Sequence, residues 1–289
     1  MSVEEYRRLL TTYAYNILGS VDDAMDAVQD TYLKFSRVDQ EKIADPKAYL
    51  VRMVINTAID HKQKKLRTRP DYPGTWLPEP VASETADAIV NSKDLLSYSL
   101  MVLLEKLNPR QRAVFILKEA FNYTHQEIAE ALSISQDNSR TMLTRAKDLL
   151  KKETIASQPG YQNDLLLNYV ELIRKGETER LERLLNEEIM MISDGGGKAT
   201  APKKPLLGRQ VVLAFLEGVY KKFYTDAQIH LTTLNHQPAF LYYYKDGVLA
   251  NCQILTIESD QITKIYNIRN PEKLHRLQET FNELSHPHA

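Results

Sequence analysis

The spacing of apolar residues changes once along this chain, and that change limits the fold more than any single motif. Through about residue 155, apolar side chains recur three and four residues apart behind polar caps, as in amphipathic helices. Between Gln228 and Asn267 they alternate, as in strands. The chain therefore reads as multidomain, with helical domains first and then an α+β domain in which a curved sheet wraps a helix. At 289 residues and 43% hydrophobic content it can bury more than one core.

The helical part carries its own start signals. Ser20 precedes an acidic helix from about Val21 to Phe35 with Asp22, Asp23, Asp26 and Asp30. Asp26 and Asp30 lie beyond the first turn, where the helix dipole no longer accounts for them, and a basic protein partner would. Asp45-Pro46 opens a second helix, with Leu50, Val51, Val54, Ile55, Ala58 and Ile59 on one face and Arg52, Asn56, Thr57 and Asp60 on the other. It runs into Lys62, Lys64, Lys65, Arg67 and Arg69 without an intervening acid, a stretch that is either a solvated helix end or a phosphate contact. Pro70, Pro73, Gly74, Pro78 and Pro80 then forbid continuous helix. This linker holds the only tryptophan, Trp76, beside Leu77, so Trp76-Leu77-Pro78-Glu79-Pro80 is expected to dock against something.

Helical signals resume near Ala86, and Asn108-Pro109-Arg110-Gln111 supplies a cap, a first-turn proline and a third-position Gln. Thr124-His125-Gln126-Glu127 is a capping box opening a short helix with Ile128, Ala129 and Leu132 inward. After the turn Ser133-Ile134-Ser135, a longer helix from Gln136 to Lys152 places Leu143, Ala146, Leu149 and Leu150 on one face. A helical hairpin in a bundle would satisfy this pattern, and so would a helix-turn-helix over residues 124 to 152. The second helix carries five basic and two acidic side chains. Gln136, Asn138, Ser139, Arg140, Thr141, Thr144, Arg145 and Lys147 are its candidate DNA contacts. Net charge is only −1, so this argument is local. The single Cys252 excludes a disulfide framework and any multi-cysteine zinc site, no metal is expected, and the thiol reads as a small buried hydrophobe. With no run of eighteen apolar residues, the chain is read as cytoplasmic without a membrane partner.

Past Pro159-Gly160 come a helix containing Leu165, Leu166, Tyr169, Val170 and Ile173, a second to about Leu185, and a β-like run from Ile189 to Ser193. A helix from about Arg209 to Phe223 follows, then strands over Gln228–Leu234, Ala239–Lys245, Val248–Ile257 and Gln261–Asn267, with Asp246-Gly247 as a two-residue hairpin turn.

Several of these segments together resemble a known family. Leu18-Gly19-Ser20 followed by Asp22 through Asp30 resembles region two of RNA polymerase sigma factors, which implies that Asp26, Gln29 and Asp30 meet the polymerase core. Asp45 through Asp60 resembles the part that captures the melted minus-ten strand, which implies roles for Arg52, Asn56, Asp60, Lys62, Lys64, Lys65 and Arg67. Leu107 through Arg112 and the helix-turn-helix resemble region four, the reader of the minus-thirty-five element. Trp76-Leu77-Pro78-Glu79-Pro80, Asp194-Gly195-Gly196-Gly197-Lys198 and Asn270-Pro271-Glu272-Lys273-Leu274 are similar to motifs of extracytoplasmic-function sigma factors with a fused SnoaL-like domain. The likeness spans about residues 4 to 277. It implies two all-α sigma domains, region two over 1–69 and region four over 91–155, joined by a linker over 70–90 and followed by a SnoaL-like α+β cone over 160–285. Asn16, where a basic residue is expected, bears on local packing, and Thr144, where His is common, bears on the promoter sequence read.

The resemblance implies RNA polymerase core and promoter DNA as partners, no cofactor, and a monomer when free. Whether a small molecule enters the cone stays open at this point. Two other classes also stand. One is a ligand-responsive repressor, which needs no polymerase-binding helix. The other is a SnoaL-type cyclase or isomerase on a DNA-binding tether, with Asp194 as general base and His236, Tyr242, Tyr244 or Tyr266 as partners. Against catalysis, Asp194 would simply turn the glycine loop and Lys198 would pair with a carboxylate. The glycine loop and Asn270–Leu274 are expected to touch the linker around Trp76, because three consecutive glycines permit close backbone approach.

Overall fold

The computed structural model describes residues 3–68, 72–82, 89–150 and 163–285. Arg69, Ala86, Lys151, Lys152 and Pro159-Gly160, on which parts of the sequence reading rest, lie outside the described residues. Contacts divide the chain into two units, residues 1–70 with 83–155, and residues 71–82 with 156–289. Half of the sequence-defined linker thus belongs to the C-terminal unit.

In the first unit, α1 (Arg7–Leu18) stops at Gly19, whose φ of 75° lets its N–H donate to the Tyr15 carbonyl at 2.7 Å. Ser20 then caps α2 (Val21–Phe35), and Asp45 caps α3 (Pro46–Thr68), its carboxylate accepting from the Ala48 N–H at 3.0 Å. These three helices pack through Leu10, Ala14 and Leu18, through Ala24, Ala27 and Val28, and through the predicted face of α3, all buried. Thr57, expected on the polar face, is buried as well and accepts from Lys34 Nζ at 3.2 Å.

The second half of this unit begins later than its helical signals suggest. Residues 89–97 hold one 3-10 turn, Ser92–Asp94, and α4 spans only Tyr98–Leu103. The Asn108 capping box opens α5 (Pro109–Phe115), which passes into a π-helical turn at Ile116–Ala120. The Thr124 capping box opens α6 (His125–Leu132), and Ser133 in the left-handed region turns the chain into α7 (Gln136–Leu150). Helix α3 packs on α5 and α6, so both halves share one interior.

In the C-terminal unit, α8 (Asn163–Lys175) and α9 (Thr178–Leu184) lead into β1 (Leu185–Asp194), twice the expected length. A short β2 (Leu206–Leu207) precedes α10 (Arg209–Val219), which ends in a second π-helical turn at Tyr220–Tyr224. Strands β3 (Gln228–Leu234), β4 (Gln237–Tyr243), β5 (Leu249–Glu258) and β6 (Gln261–Ile268) form the predicted antiparallel meander. The sheet order is β2-β1-β6-β5-β4-β3, and β1 lies parallel to β6 with Ser193 opposite Asn267 and Asp194 opposite Ile268. Val212, Leu213 and Leu216 of α10 pack into the core with Phe240, Leu255 and Ile265 of the sheet.

The hairpin between β4 and β5 differs from the expected two-residue turn. Tyr244 accepts from Gly247 and donates to Val248, both at 2.9 Å, so Lys245, Asp246 and Gly247 form a three-residue loop with Gly247 at φ 80°. A final helix, α11 (Pro271–Ser285), has no counterpart in the sequence reading, although Asn270-Pro271 repeats the Asn108-Pro109 start signal. Cys252 is fully buried in β5, and burial pushes its thiol pKa up. Among the described residues, no helix is long and apolar enough to cross a membrane.

Candidate functional site

Three clusters of predicted residues now have geometry. On α7, Leu143, Ala146 and Leu150 turn inward, leaving Gln136, Asn138, Arg140, Thr141, Thr144, Arg145 and Lys147 exposed. Ser135 accepts from the Asn138 N–H at 3.1 Å, holding the first turn outward. Arg140 pairs with Asp137 at 2.8 Å and Lys147 with Glu119 at 2.8 Å, but all four side chains reach solvent and exchange partners at little cost. His125, against Ser139 at 2.9 Å, has its pKa lowered by desolvation and by Lys118 and Arg140, which keeps the ring neutral at pH 7.

On α2, Met25, Asp26, Gln29 and Leu33 form an exposed face. Arg7, Arg8, Met25, Asp26, Gln29 and Tyr32 line a groove of about 400 Å³ beside it. On α3, Arg52, Asp60, Lys64 and Arg67 are exposed, whereas Asn56 donates to the Arg52 carbonyl at 2.9 Å and to the Ala131 carbonyl at 2.7 Å.

The third cluster lies within the C-terminal unit and includes residues 72–82. Asp194 ends β1 with 1% exposure, and its carboxylate accepts from the Tyr72 hydroxyl at 2.6 Å, the Leu77 N–H at 2.9 Å, the Gly196 N–H at 3.0 Å and Lys273 Nζ at 2.5 Å. Lys273 also donates to the Leu77 carbonyl and stands 4.3 Å from the Trp76 ring centroid. Asn270 caps α11, its Oδ1 accepting from the Glu272 N–H at 3.1 Å while its amide donates to Tyr72 at 3.2 Å. Lys198 pairs with Glu272 at 2.5 Å.

Each glycine of the loop has its own reason. A Cβ on Gly195 would strike the Ala199 carbonyl, one on Gly196 the Asn270 amide, and one on Gly197 would lie 2.5 Å from Pro73 Cγ. Gly196 and Gly197 also hold φ values of 60° and 73°. The expected contact of the glycine loop and Asn270–Leu274 with the linker around Trp76 is therefore present, and all three motifs meet at Asp194.

The models for sigma-70 region 2 and sigma-70 region 4 match residues 2–68 and 97–150. The ECF RNA polymerase sigma factor SigJ of Mycobacterium tuberculosis is 30% identical over 234 residues, 77% of this chain and 74% of SigJ. The chain belongs to the extracytoplasmic-function RNA polymerase sigma factors. The crystal structure of SigJ superposes with a TM-score of 0.76 at 25% identity, covering 95% of this chain and 98% of that one. The RNA polymerase sigma-E factor of Streptomyces coelicolor is 31% identical over 165 residues, 54% of this chain and 88% of that protein. This sigma factor thus has regions 2 and 4 in its helical unit and a helix-plus-sheet domain beyond them, and it directs promoter-specific initiation by RNA polymerase.

Several assignments need correction. Lys62, which the resemblance places among the minus-ten strand contacts, is 4% exposed, and its ammonium donates to the Leu18 carbonyl at 2.9 Å and to Glu105 at 2.8 Å. Arg112, fully buried, joins Glu105 and donates to the Asn16 carbonyl at 2.9 Å. Burial pushes the Glu105 pKa up, but Arg112 and Lys62 together pull it below the ordinary value. Lys65 pairs with Asp23, and Asp30 meets His61 at 3.1 Å, so both are engaged inside region 2. Ser139 is fully buried and cannot face a groove. Leu149, expected on the apolar face, is 54% exposed. Asn16 is buried and ties α1 to the segment before α4 through the Asp94 carbonyl at 2.8 Å and the Leu96 N–H at 3.3 Å.

Four donors occupy the oxygens of Asp194, the residue that a cyclase or isomerase reading would use as general base. Among the described residues, Tyr72, Asn235 and Arg276 also hold the linker, and the sequence patterns single out none of them. Arg276 meets the buried Glu79 at 3.8 Å. Asn235 accepts from the Val81 N–H at 2.8 Å and returns its own N–H to the Val81 carbonyl at 3.0 Å. The positive φ of Asn235 and His236 marks a tight turn that Asn tolerates, the one sequence signal available there.

Proposed function

We propose that the C-terminal domain sets the activity of this sigma factor by holding the chain that joins regions 2 and 4. The supporting observation is the buried Asp194–Lys273 pair, whose free valences are filled by Tyr72, Leu77 and Trp76 rather than by solvent or substrate. A buried ion pair specifies one arrangement more than it stabilises it, because its desolvation offsets most of the attraction. Such a clamp fixes where residues 72–82 run and suits a device that is either engaged or released.

In this reading the exposed residues of α7 read the minus-thirty-five element, Arg52, Asp60, Lys64 and Arg67 meet the minus-ten strand, and Asp26 and Gln29 meet the polymerase core. Asn56 joins the strand contacts only when the end of α6 leaves α3, because the Ala131 carbonyl occupies its amide. The free helical unit is thus a closed form that opens on the polymerase.

Run-off transcription by core polymerase, from a promoter selected with the wild-type chain, tests the clamp. Replacing Trp76, Asp194 or Lys273 by Ala is expected to change transcript yield several-fold at unchanged core binding. Wild-type yields from all three variants would refute the proposal.

A further inference from the structure

The C-terminal unit encloses a cavity of about 300 Å³ between α10, its π-helical turn and the inner faces of β4, β5 and β6. Its walls are apolar and aromatic, with Phe215, Leu216, Val219 and Phe223 among them. Strand register places a row of polar side chains on the sheet side. Cys252 pairs with Ile268 and Gln253 with Asn267, so the neighbouring rung sets Asn251 beside Arg269 on the same face as Gln253 and Asn267.

Part of that row is already satisfied. The Tyr169 and Tyr242 hydroxyls donate to Gln253 Oε1 at 3.3 and 2.8 Å, Gln253 donates to Asn267 at 3.4 Å, and Asn267 to Ser193 at 3.4 Å. The remainder is not. Asn251 Oδ1 and Arg269 Nε are buried without a hydrogen-bond partner among the described residues, and the Tyr224 hydroxyl faces only the Arg269 guanidinium, which leaves its own proton to donate. Asn251 is 1% and Tyr224 2% exposed. Leaving such groups unpaired is costly, and a native interior seldom does so without a ligand or ordered water.

The character of the three groups defines what would complete them. Arg269 donates to the Thr200 carbonyl at 2.6 Å and lies over the Phe223 ring, but it has no carboxylate partner among the described residues. Burial pushes the Tyr224 pKa up to about 12, against the opposing pull of Arg269, so its hydroxyl remains a donor at neutral pH. A cation and a phenol donor together select an anionic oxygen. The Asn251 amide takes a neighbouring hydroxyl, and the aromatic wall takes a flat ring. About 300 Å³ is at the small end of ligand pockets.

We propose that this cavity binds a small aromatic carboxylate of one or two fused rings, its carboxylate on Arg269 and Tyr224 and a ring hydroxyl on Asn251. The site adjoins the linker cluster along the backbone, since the Arg269 and Asn270 N–H groups both donate to the Asp194 carbonyl, at 2.8 and 3.0 Å. Its existence does not depend on the clamp being regulatory.

Isothermal titration of the full-length chain with a hydroxynaphthoate, and with naphthol as the uncharged counterpart, tests it. The acid is expected to bind saturably at one site, at least about tenfold more tightly than naphthol, the difference expected of one charge-assisted hydrogen bond. Arg269→Gln should bring the acid down to the affinity of naphthol. Val219→Trp should fill the cavity and abolish both while circular dichroism stays that of the wild type, and it carries the test if the Arg269 variant does not fold. Equal binding of acid and naphthol, undiminished binding to Val219→Trp, or no heat and no saturation transfer from the acid at roughly 1 mM would each overturn the proposal.

Discussion

Replacing Lys273 by Met probes the linker cluster most directly. The side chain keeps most of its length and apolar volume but loses the ammonium that lies 2.5 Å from Asp194, donates to the Leu77 carbonyl and sits over Trp76. Removing one partner of a buried pair costs about 3–5 kcal/mol, because the other charge stays buried. Asp194 keeps three donors, in Tyr72, Leu77 and Gly196, which places the cost at the lower end of that range. Loss of the cation–π contact adds about 1 kcal/mol. Together these predict that docking of residues 72–77 weakens by about 3–4 kcal/mol, or two to three powers of ten in its opening equilibrium. The Leu77 amide, bonded to Asp194, reports that equilibrium by hydrogen exchange. Its protection should fall by that factor while amides of β5 and β6 keep theirs. A fall of less than about threefold would show that the cluster is not held by charge and would refute the reasoning.

Further predictions separate structural from DNA-facing groups. Lys62→Met should destabilise the helical unit yet leave the salt dependence of promoter binding unchanged, whereas Lys64→Met should lower that dependence by about one counterion; the two slopes, measured on the polymerase complex, decide. Glu105 has a depressed pKa, so its contribution to stability is complete above the unfolded value, about 4.3, and is lost as pH falls through the folded one. The gap in urea midpoint between wild type and Glu105→Gln, followed through α5, should therefore close on acidification, and a gap constant down to pH 3 or widening would contradict it. Gly197→Ala should loosen residues 73–77 far more than Gly176→Ala loosens its own turn, since both have positive φ but only the first would press a Cβ into Pro73. Exchange protection of the Leu77 amide distinguishes them.

The sequence alone determined the elements whose causes are local. The capping boxes at Asn108 and Thr124 need only residues three apart, and they open α5 and α6 where expected. The alternation from Gln228 onward set four strands to within a few residues, and the buried face of α3 followed from three- and four-residue spacing. The same Asn-Pro signal stands at Asn270, where α11 starts.

Tertiary structure decided what depends on residues far apart in the chain. Lys62 and Lys64 belong to one basic run, yet one is buried against Glu105 and the other is free in solvent, because the helix turns each toward a different neighbour. Ser139 and Asn138 are adjacent on α7, and packing against His125 takes only Ser139 inward. Three short motifs, with Leu77 and Asp194 117 residues apart and Asp194 and Lys273 79 apart, carried no sign that they meet at one carboxylate. Burial of Asp194 is what unites them, since a buried anion needs donors: the parallel pairing of β1 with β6 brings Lys273 to it, and the docked linker brings Tyr72 and Leu77.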